Sequence, residues 1–240
     1  MELRAQEGLM IRLYMLGIKN VSAAHFDHFM KRVSPERIRQ VRRIRNRRDA
    51  VRSLFGEVMV RWAVNQVKPA AAFSKPWTRS EFGKPAFADE PDIHFNLSHS
   101  GDWVVAALGP CELGVDVEQV LPVNPGMAES CFSPAELEPL QHLTEEERLN
   151  RFYDIWTLKE SYTKCIGRGL SQPLGSFTIT VRPDGKIDYS GPDIEARNYQ
   201  FMLIPMEGPY KLAVCTKAKG PIEIYTPEMD QLLDMKMFAG

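Results

Sequence analysis

Two carboxylates lie inside an otherwise apolar stretch, ELGVDVEQV, at residues 112–120. In an extended chain the side chains of Val115 and Val117 point to one face, and those of Asp116 and Glu118 point together to the other. Two negative charges that close repel each other unless a cation, a proton or a basic side chain lies between them. The stretch therefore predicts a strand with a buried face and an acidic face that needs a positively charged partner.

The basic residues of the chain are concentrated in one segment. The 240 residues include 30 Lys or Arg and 31 Asp or Glu, for a formal net charge of −1, but ten of these 30 lie between Lys31 and Arg52. Such a segment suits a phosphate-rich ligand, nucleic acid or an acidic protein. With 44% hydrophobic and 25% charged residues, the composition is that of a globular protein with one large domain or two smaller ones.

The cysteines and the N-terminus indicate the compartment. No two cysteines form a C-x-x-C pair, so neither a zinc site nor a disulfide framework is predicted for Cys111, Cys131, Cys165 and Cys215. A reducing compartment is the simpler interpretation. The first twenty residues contain no small-residue cleavage signal, and no stretch is long and apolar enough to span a bilayer. We therefore expect a cytoplasmic protein with no membrane partner.

Local signals in the first half predict a strand, a helix and then further strands. The strand is predicted at residues 10–18, and the Ser-Pro-Glu sequence at 34–36 is a helix start signal. Apolar residues at helical spacing extend this helix to Gln66. The segment 93–109 is predicted to form a strand, a turn and a strand.

The second half repeats this order. After the strand at 112–120, a helix is predicted to begin at Ser133, and a second helix covers residues 149–166 and ends at Gly167. A hairpin with Asp-Gly at 184–185 follows. Three more segments are predicted to complete a mostly antiparallel sheet: YQFMLIP, YKLAVCTK and IEIYTP.

The helix at 149–166 carries a polar stripe. Trp156, Glu160 and Lys164 lie at positions i, i+4 and i+8, so they share one face of the helix. The simplest interpretation is a surface salt bridge beside a half-buried tryptophan. Together with Asp116 and Glu118, however, the stripe gives three carboxylates and a lysine from two elements. That set suits Mg²⁺ bound beside substrate phosphates.

Other motifs favour phosphate binding over nucleophilic catalysis. Ser98 and His99 lie at the end of a predicted strand, where His99 is better interpreted as a phosphate donor than as a general base. Ser161 and Lys164 match S-x-x-K, but the partner motifs S-D-N and K-T-G are missing, so a penicillin-recognising acyl-enzyme is not expected. The sequence contains neither a Walker A loop nor G-x-G-x-x-G.

Three motifs in this order resemble the signature of the Sfp-type 4′-phosphopantetheinyl transferases: FNLSHSG at 95–101, GVDVE at 114–118 and WTLKESYTKCIGRGL at 156–170. The upstream segments SPERIR, RRDAVRSLFGE and EFGKP also resemble that family, so the resemblance covers most of residues 30–180. G-x-D-x-E alone is a weak signal. Its combination with W-x-x-K-E-x-x-x-K about forty residues later is highly specific.

The resemblance implies an α+β fold, a pseudo-dimer of two similar α+β lobes with the active site in the cleft between them. We expect an N-terminal lobe at 1–111, with the basic helix and the side that binds the 3′-phosphate of coenzyme A. The C-terminal lobe at 112–240 is expected to hold the metal-binding acids and the catalytic helix. The resemblance also favours a monomer.

The resemblance assigns roles to individual residues. Mg²⁺, with Mn²⁺ as an alternative, is held by Asp116, Glu118 and Glu160 against the pyrophosphate of coenzyme A. Lys164 contacts the same phosphates, and Glu160 and Lys164 are the catalytic residues. Gln40 stands where a member of the family has a second lysine, so that contact is weaker or is made by a neighbouring arginine. The remaining contacts to coenzyme A are Arg37, Arg52, Ser53, Lys84, Ser98 and His99.

The expected function is transfer of the 4′-phosphopantetheine arm of coenzyme A to a serine of an apo carrier protein (acyl, peptidyl or aryl), with release of adenosine 3′,5′-bisphosphate. The carrier is expected to dock around residues 119–135. Two alternatives stay open: a nucleic-acid-binding module that uses the basic helix, and a metal-dependent phosphohydrolase. The arginines lack the interleaved aromatic residues that stack on bases, so we expect no nucleic-acid partner.

Overall fold

The computed structural model describes residues 10–68, 77–88, 90–124 and 126–234. The chain divides into two compact units. The first unit consists of Met1–Thr78, Pro85–Pro110 and Gly220–Gly240, and the second of Arg79–Lys84 and Cys111–Lys219. Each unit combines helices with a β-sheet, so the expectation of two α+β lobes is confirmed.

The sheet of the first unit contains β1 (Ile11–Gly17), β4 (His94–Ser100), β5 (Trp103–Gly109) and β11 (Ile222–Tyr225). The strand order is β11-β1-β5-β4. β5 is antiparallel to both β1 and β4, whereas β11 is parallel to β1. The strands predicted from residues 10–18 and 93–109 are therefore confirmed. Two short strands, β2 (Trp77–Arg79) and β3 (Pro85–Phe87), pair with each other.

The helices of the first unit are α1 (Ala23–Met30), α2 (Pro35–Arg43), α3 (Arg47–Val67) and α7 (Met229–Leu233). The middle of α3 is apolar on nearly every side, so this helix is buried along most of its length. Its side chains pack against β4 and β5 and form the core of the unit together with the aromatic rings of α1.

The basic segment forms two helices, whereas the sequence predicted one helix over residues 34–66. The chain leaves helical geometry at Ile44, whose φ and ψ are −79° and 117°. The side chain of Asn46 then accepts hydrogen bonds from the amides of Arg48 (2.8 Å) and Asp49 (3.3 Å), which caps the start of α3. The apolar spacing continues across this break because α2 and α3 both turn apolar residues toward the core.

The second unit contains a sheet with the order β6-β10-β9. Its strands are β6 (Leu113–Gln119), β9 (Gln200–Ile204) and β10 (Tyr210–Thr216), and both neighbours of β10 are antiparallel to it. The predicted hairpin consists of β7 (Thr178–Val181) and β8 (Ile187–Ser190), which form a separate two-stranded sheet.

The helices of the second unit are α4 (Met127–Cys131), α5 (Pro134–Leu140) and α6 (Glu145–Ile166). α6 begins at Glu145 rather than at the predicted residue 149, because Thr144 and Glu147 form a capping box. It ends as predicted at Gly167, which adopts a left-handed conformation with φ 70°. The described residues of this unit also include 3-10 turns at Gly169–Ser171, Leu174–Ser176 and Ile194–Asn198.

The end of the chain differs from the predicted division into residues 1–111 and 112–240. Residues 220–234, the described part of this end of the chain, belong to the first unit, because β11 pairs with β1. The sequence showed that IEIYTP is a strand, but an isolated strand pattern does not specify its partner. The change of unit after Pro110 lies within one residue of the predicted boundary.

No helix in the part of the chain that the structure describes is long and apolar enough to cross a membrane. The four cysteines are free thiols, and Cys165 and Cys215 are buried.

Gly114 allows α6 to pack directly on β6. A Cβ atom at this position would lie 2.0 Å from the carbonyl oxygen of Ser161 and 2.4 Å from the backbone nitrogen of Cys165. Both are backbone atoms of a long helix, so neither can move aside as a flexible side chain would. The distance between the acidic strand and the helix therefore depends on a residue without a side chain.

We expect Gly114→Ala to destabilise the second unit by about 1–3 kcal/mol, because the methyl group forces α6 away from β6. Urea unfolding measures the effect. Gly175→Ala is the control, since its Cβ would meet the Phe132 carbonyl oxygen at an ordinary 3.8 Å and should change stability by at most about 1 kcal/mol. Equal stability of Gly114→Ala and the wild type would contradict the close approach.

Candidate functional site

The acidic face of β6 has a basic partner on α6. Asp116 is nearly completely buried, with 2% of its surface exposed. The Nζ atom of Lys164, in the last turn of α6, lies 2.5 Å from Asp116 Oδ1. A buried carboxylate is costly without a compensating charge. Lys164 therefore supplies a positive charge that the sequence of β6 requires.

Glu160 lies one turn before Lys164 on α6 and is half-buried. Burial raises the pKa of its carboxyl group, and the charge of Asp116 raises it further, whereas Lys164 lowers it. The structure thus brings Asp116, Glu160 and Lys164 into one electrostatic group. A carboxylate with a raised pKa is a better proton acceptor near neutral pH than an ordinary glutamate.

Glu118 follows Asp116 by two residues on β6, so their side chains leave the same face of the strand. In the ladder Glu118 is opposite Lys211 of β10. The pKa of Tyr153 in α6 is raised, chiefly by burial. A hydrogen bond with the backbone of Leu121 acts against this rise, and the negative charge of Glu118 adds to it. Glu118 is therefore close enough to the middle of α6 to act on Tyr153.

The donor chemistry of these acids fits a hard divalent cation, which prefers oxygen ligands. The charges of Asp116 and Glu160 repel each other, and a bound cation would relieve that repulsion. Within the described residues, however, no group of three or more His, Cys, Asp or Glu side chains has an arrangement that could hold a metal ion. The three-carboxylate site of Asp116, Glu118 and Glu160 stays a prediction.

Trp156 is the third member of the predicted stripe on α6. Its ring is half-buried and stacks on Phe152, with centroids 5.9 Å apart and an angle of 17° between the planes. It belongs to the hydrophobic cluster that α6 forms with α4 and α5. Trp156 thus has a packing role.

In the first unit, the side chains of Arg37 and Ser53 lie together. Arg37, on α2, donates from Nη1 to Ser53 Oγ on α3 at 3.2 Å. Its Nε also donates to Glu57 Oε2 at 2.8 Å. The guanidinium group is held against α3, and 14% of the side chain is exposed.

Sequence reasoning missed Glu57 and Arg61. Glu57 is buried, and its second carboxylate oxygen accepts a hydrogen bond from Arg61 Nε at 2.9 Å. One carboxylate thus forms ion pairs with two guanidinium groups, those of Arg37 and Arg61. The sequence LFGEVMVRWAV could have indicated this ion pair, because two opposite charges four residues apart lie within an otherwise apolar helix.

Arg52 contacts the turn that follows Ser98 and His99. Its Nη1 donates to the carbonyl oxygen of Gly101 at 2.7 Å, and its Nη2 contacts Asp49. Gly101 has a positive φ of 54° between β4 and β5. Ser98 is buried whereas His99 is exposed, as expected for neighbours on a strand. The structure thus brings Arg52 to the hairpin that carries these two residues.

Lys84 has a structural environment that the sequence did not indicate. Its Nζ donates to the carbonyl oxygens of Leu113 (3.0 Å) and Cys165 (2.8 Å). Burial lowers the pKa of this amine. Lys84 therefore links the start of β6 to the end of α6, and its expected contact with the 3′-phosphate of coenzyme A stays a prediction.

Comparison with family models covers both units. Residues 112–215 match the model of the 4'-phosphopantetheinyl transferase superfamily. Residues 20–110 match the model described as 4'-phosphopantetheinyl transferase, N-terminal.

Several curated proteins are similar over most of their length. The chain is 35% identical over 189 residues to the 4'-phosphopantetheinyl transferase Sfp of Bacillus subtilis, which covers 79% of this chain and 84% of that protein. It is 34% identical over 206 residues to the 4'-phosphopantetheinyl transferase psf-1 of Bacillus pumilus, with 85% of each chain covered. A solved holo-(acyl-carrier-protein) synthase from Bacillus anthracis, in complex with CoA (3',5'-ADP), matches at 14% identity and a TM-score of 0.38. That match covers 44% of this chain and 93% of the synthase.

The raised pKa of Glu160 has a testable effect on stability. The native state binds this proton more tightly than the unfolded state, so ionisation of Glu160 costs stability as the pH rises. We expect Glu160→Gln to be more stable than the wild type at pH 8 in EDTA. The advantage should disappear as the pH falls below the ordinary pKa of about 4.3. Urea unfolding between about pH 3 and pH 8, a range that extends below the ordinary pKa of a glutamate, measures it.

Glu147→Gln on the same helix is the control with the opposite sign. Hydrogen bonds from Thr144 lower the pKa of Glu147, so its ionised form stabilises the native state. This variant should be less stable than the wild type at pH 8, with the difference lost as the pH falls. If Glu160→Gln behaved like Glu147→Gln, the assigned environment of Glu160 would be wrong.

Proposed function

The chain belongs to the 4′-phosphopantetheinyl transferase superfamily, and on that basis we propose that it transfers the 4′-phosphopantetheine arm of coenzyme A to a serine of an apo carrier protein. The second product is adenosine 3′,5′-bisphosphate. The group of Asp116, Glu160 and Lys164 carries this proposal, because it places acids and a lysine together within the region that matches the superfamily.

The proposed reaction is a substitution at the β-phosphorus of coenzyme A. The serine hydroxyl oxygen forms a bond to the β-phosphorus. The bond between the β-phosphorus and the oxygen that bridges it to the α-phosphorus breaks. The leaving adenosine 3′,5′-bisphosphate takes the electron pair. Glu160 is the proposed acceptor of the serine proton, directly or through a water.

Lys164 has two roles in the proposed site. Its ammonium group compensates Asp116 in the free protein, and 28% of its side chain is exposed and available to a ligand phosphate. With substrate bound, Lys164 stabilises the charge that develops on the leaving phosphate. Asp116, Glu118 and Glu160 would hold Mg²⁺. A bound Mg²⁺ would neutralise negative charge on the pyrophosphate of coenzyme A.

The first unit provides the proposed contacts to the 3′-phosphate. Arg37 and Ser53 are already joined by a hydrogen bond, and Glu57 fixes the guanidinium group of Arg37. Arg52 holds the hairpin of Ser98 and His99 at Gly101. Preformed guanidinium groups suit a phosphate monoester, which accepts paired charge-assisted hydrogen bonds.

The carrier protein is proposed to dock around residues 119–135. A groove of about 530 Å³ adjoins this region. It is formed largely by apolar side chains from the segment after β6 and from α5 and α6, including Val123, Leu137, Leu140, Leu149 and Phe152. Such a surface suits the apolar side of a small folded domain.

Mass spectrometry of an apo carrier protein tests the function. We expect a mass increase of one phosphopantetheine unit with coenzyme A and Mg²⁺, and no increase in EDTA until excess Mg²⁺ is restored. Release of phosphate without modification of the carrier would instead favour the phosphohydrolase. Retention of oligonucleotides that coenzyme A cannot displace would favour the nucleic-acid-binding module.

Arg52 provides a separate test of the 3′-phosphate contact. A charged hydrogen bond contributes about 1.5–3 kcal/mol, so Arg52→Ala should raise KM for coenzyme A roughly ten- to a hundredfold, with a smaller effect on kcat. With 3′-dephospho-coenzyme A the same substitution should cost little. Arg48→Ala, an exposed arginine one turn earlier on α3, is the control and should leave KM unchanged. An equal loss with both substrates would show that Arg52 does not bind the 3′-phosphate.

A further inference from the structure

Lys159 and Glu160 are neighbours on α6, but their side chains have different environments. Glu160 is half-buried and interacts with Asp116. The side chain of Lys159 is completely buried, with 0% exposed. Its position in the sequence, beside a residue of the candidate site, gives no indication of this difference.

The buried ammonium group of Lys159 has four acceptors, all from the second unit. Its Nζ lies 2.6 Å from Glu136 Oε2. It also donates to the carbonyl oxygens of Leu174 at 2.7 Å, Phe177 at 2.8 Å and Cys131 at 3.5 Å. Protein groups thus surround the ammonium group, and the side chain offers no exposed surface to a ligand phosphate.

The carboxylate of Glu136 is also buried and hydrogen-bonded to protein groups. It is 4% exposed, and its two carboxylate oxygens accept hydrogen bonds from the amides of Ser133 and Ile179, each at 2.7 Å. Ser133 caps α5, and Ile179 lies on β7. One ion pair therefore ties α6 to α5, to β7 and to the turn at Leu174–Ser176.

A buried ion pair constrains geometry more than apolar packing does. Apolar side chains accept small rotations of a helix at modest cost, because their contacts have no preferred direction. A buried ammonium group that loses its carboxylate leaves an uncompensated charge, which is strongly unfavourable. Since successive residues of a helix are separated by a fixed angle, a fixed Lys159 also fixes the directions of Glu160 and Lys164.

We propose that the Lys159–Glu136 pair sets the rotation of α6 about its axis, so that Glu160 and Lys164 face the acids of β6. Lys159 is thus a positioning residue for the transfer reaction. The proposal deepens the proposed function and rests on it.

Steady-state kinetics of Lys159→Met provide the first test, at a temperature well below the melting temperature of the variant. Misplacement of groups by about 1 Å costs on the order of a hundredfold, so kcat should fall roughly ten- to a hundredfold. KM for coenzyme A should stay within about threefold, since no contact to the substrate is lost. Lys159→Gln, which keeps two donors for the carbonyl oxygens, replaces Lys159→Met if the latter does not fold.

The pair formed by Lys217 and Glu112 provides the matched control. Their side chains lie 2.7 Å apart in the same unit but are 43% and 46% exposed, and neither residue belongs to α6. Lys217→Met should leave kcat within about twofold of the wild type, as expected for a surface ion pair.

A second measurement requires no activity. The ¹⁵Nζ resonance of Lys164, assigned with Lys164→Arg, reports whether its ion pair with Asp116 persists. In Lys159→Met we expect this resonance to move toward that of exposed lysines, and in Lys217→Met to stay unchanged. Lys164 is more than one turn from Lys159, so the shift reports on the position of α6.

The outcomes separate the possible roles of Lys159. Unchanged kcat and an unchanged Lys164 resonance in a folded variant would overturn the proposal and leave Lys159 a role in stability alone. A raised KM with unchanged kcat would also overturn it, in favour of direct contact with coenzyme A. If the wild type failed to modify a carrier, the proposed function would fail, while the Lys164 resonance would still test the positioning.

Discussion

The direct contact between the backbones of β6 and α6 is the constraint on which the second unit depends. It requires a glycine at 114, because any side chain there would collide with the Ser161 carbonyl and the Cys165 amide. Because the two backbones are this close, the side chains of β6 and α6 can form hydrogen bonds with each other directly. The ion pair of Lys164 and Asp116 follows from that distance.

Buried charges in both units are compensated by partners from other elements. Glu57 binds Arg37 across α2 and α3 in the first unit, and in the second Glu136 binds Lys159 across α5 and α6. The net stability that such pairs contribute is small, because desolvation offsets much of their attraction.

Membership of the superfamily and the local structure assign different parts of the function. The family matches give the reaction class, whereas the structure gives the burial and the charged neighbours of individual groups. Burial and the charge of Asp116 raise the pKa of the Glu160 carboxyl group, and Lys164 lowers it. The amine of Lys84 is engaged by two carbonyl groups, so any phosphate that it binds has to compete with them.

The sequence by itself determined the elements whose signals are local. The alternation of apolar and acidic residues in GVDVE predicted β6, and the glycine at 167 predicted the end of α6. Helical spacing placed Glu160 and Lys164 on one face of that helix. The motif combination gave the family. The sequence did not indicate the break between α2 and α3 before Asn46, because the apolar spacing continues across that break.

Only the tertiary structure decided which distant groups meet. It paired β11 with β1, placed Lys159 on Glu136, and gave Arg37 a buried partner in Glu57. These contacts join residues far apart in the chain, and nothing local distinguishes a lysine that will be buried from one that will be exposed. Their formation depends on the free energy of burying whole elements together, which no short segment encodes.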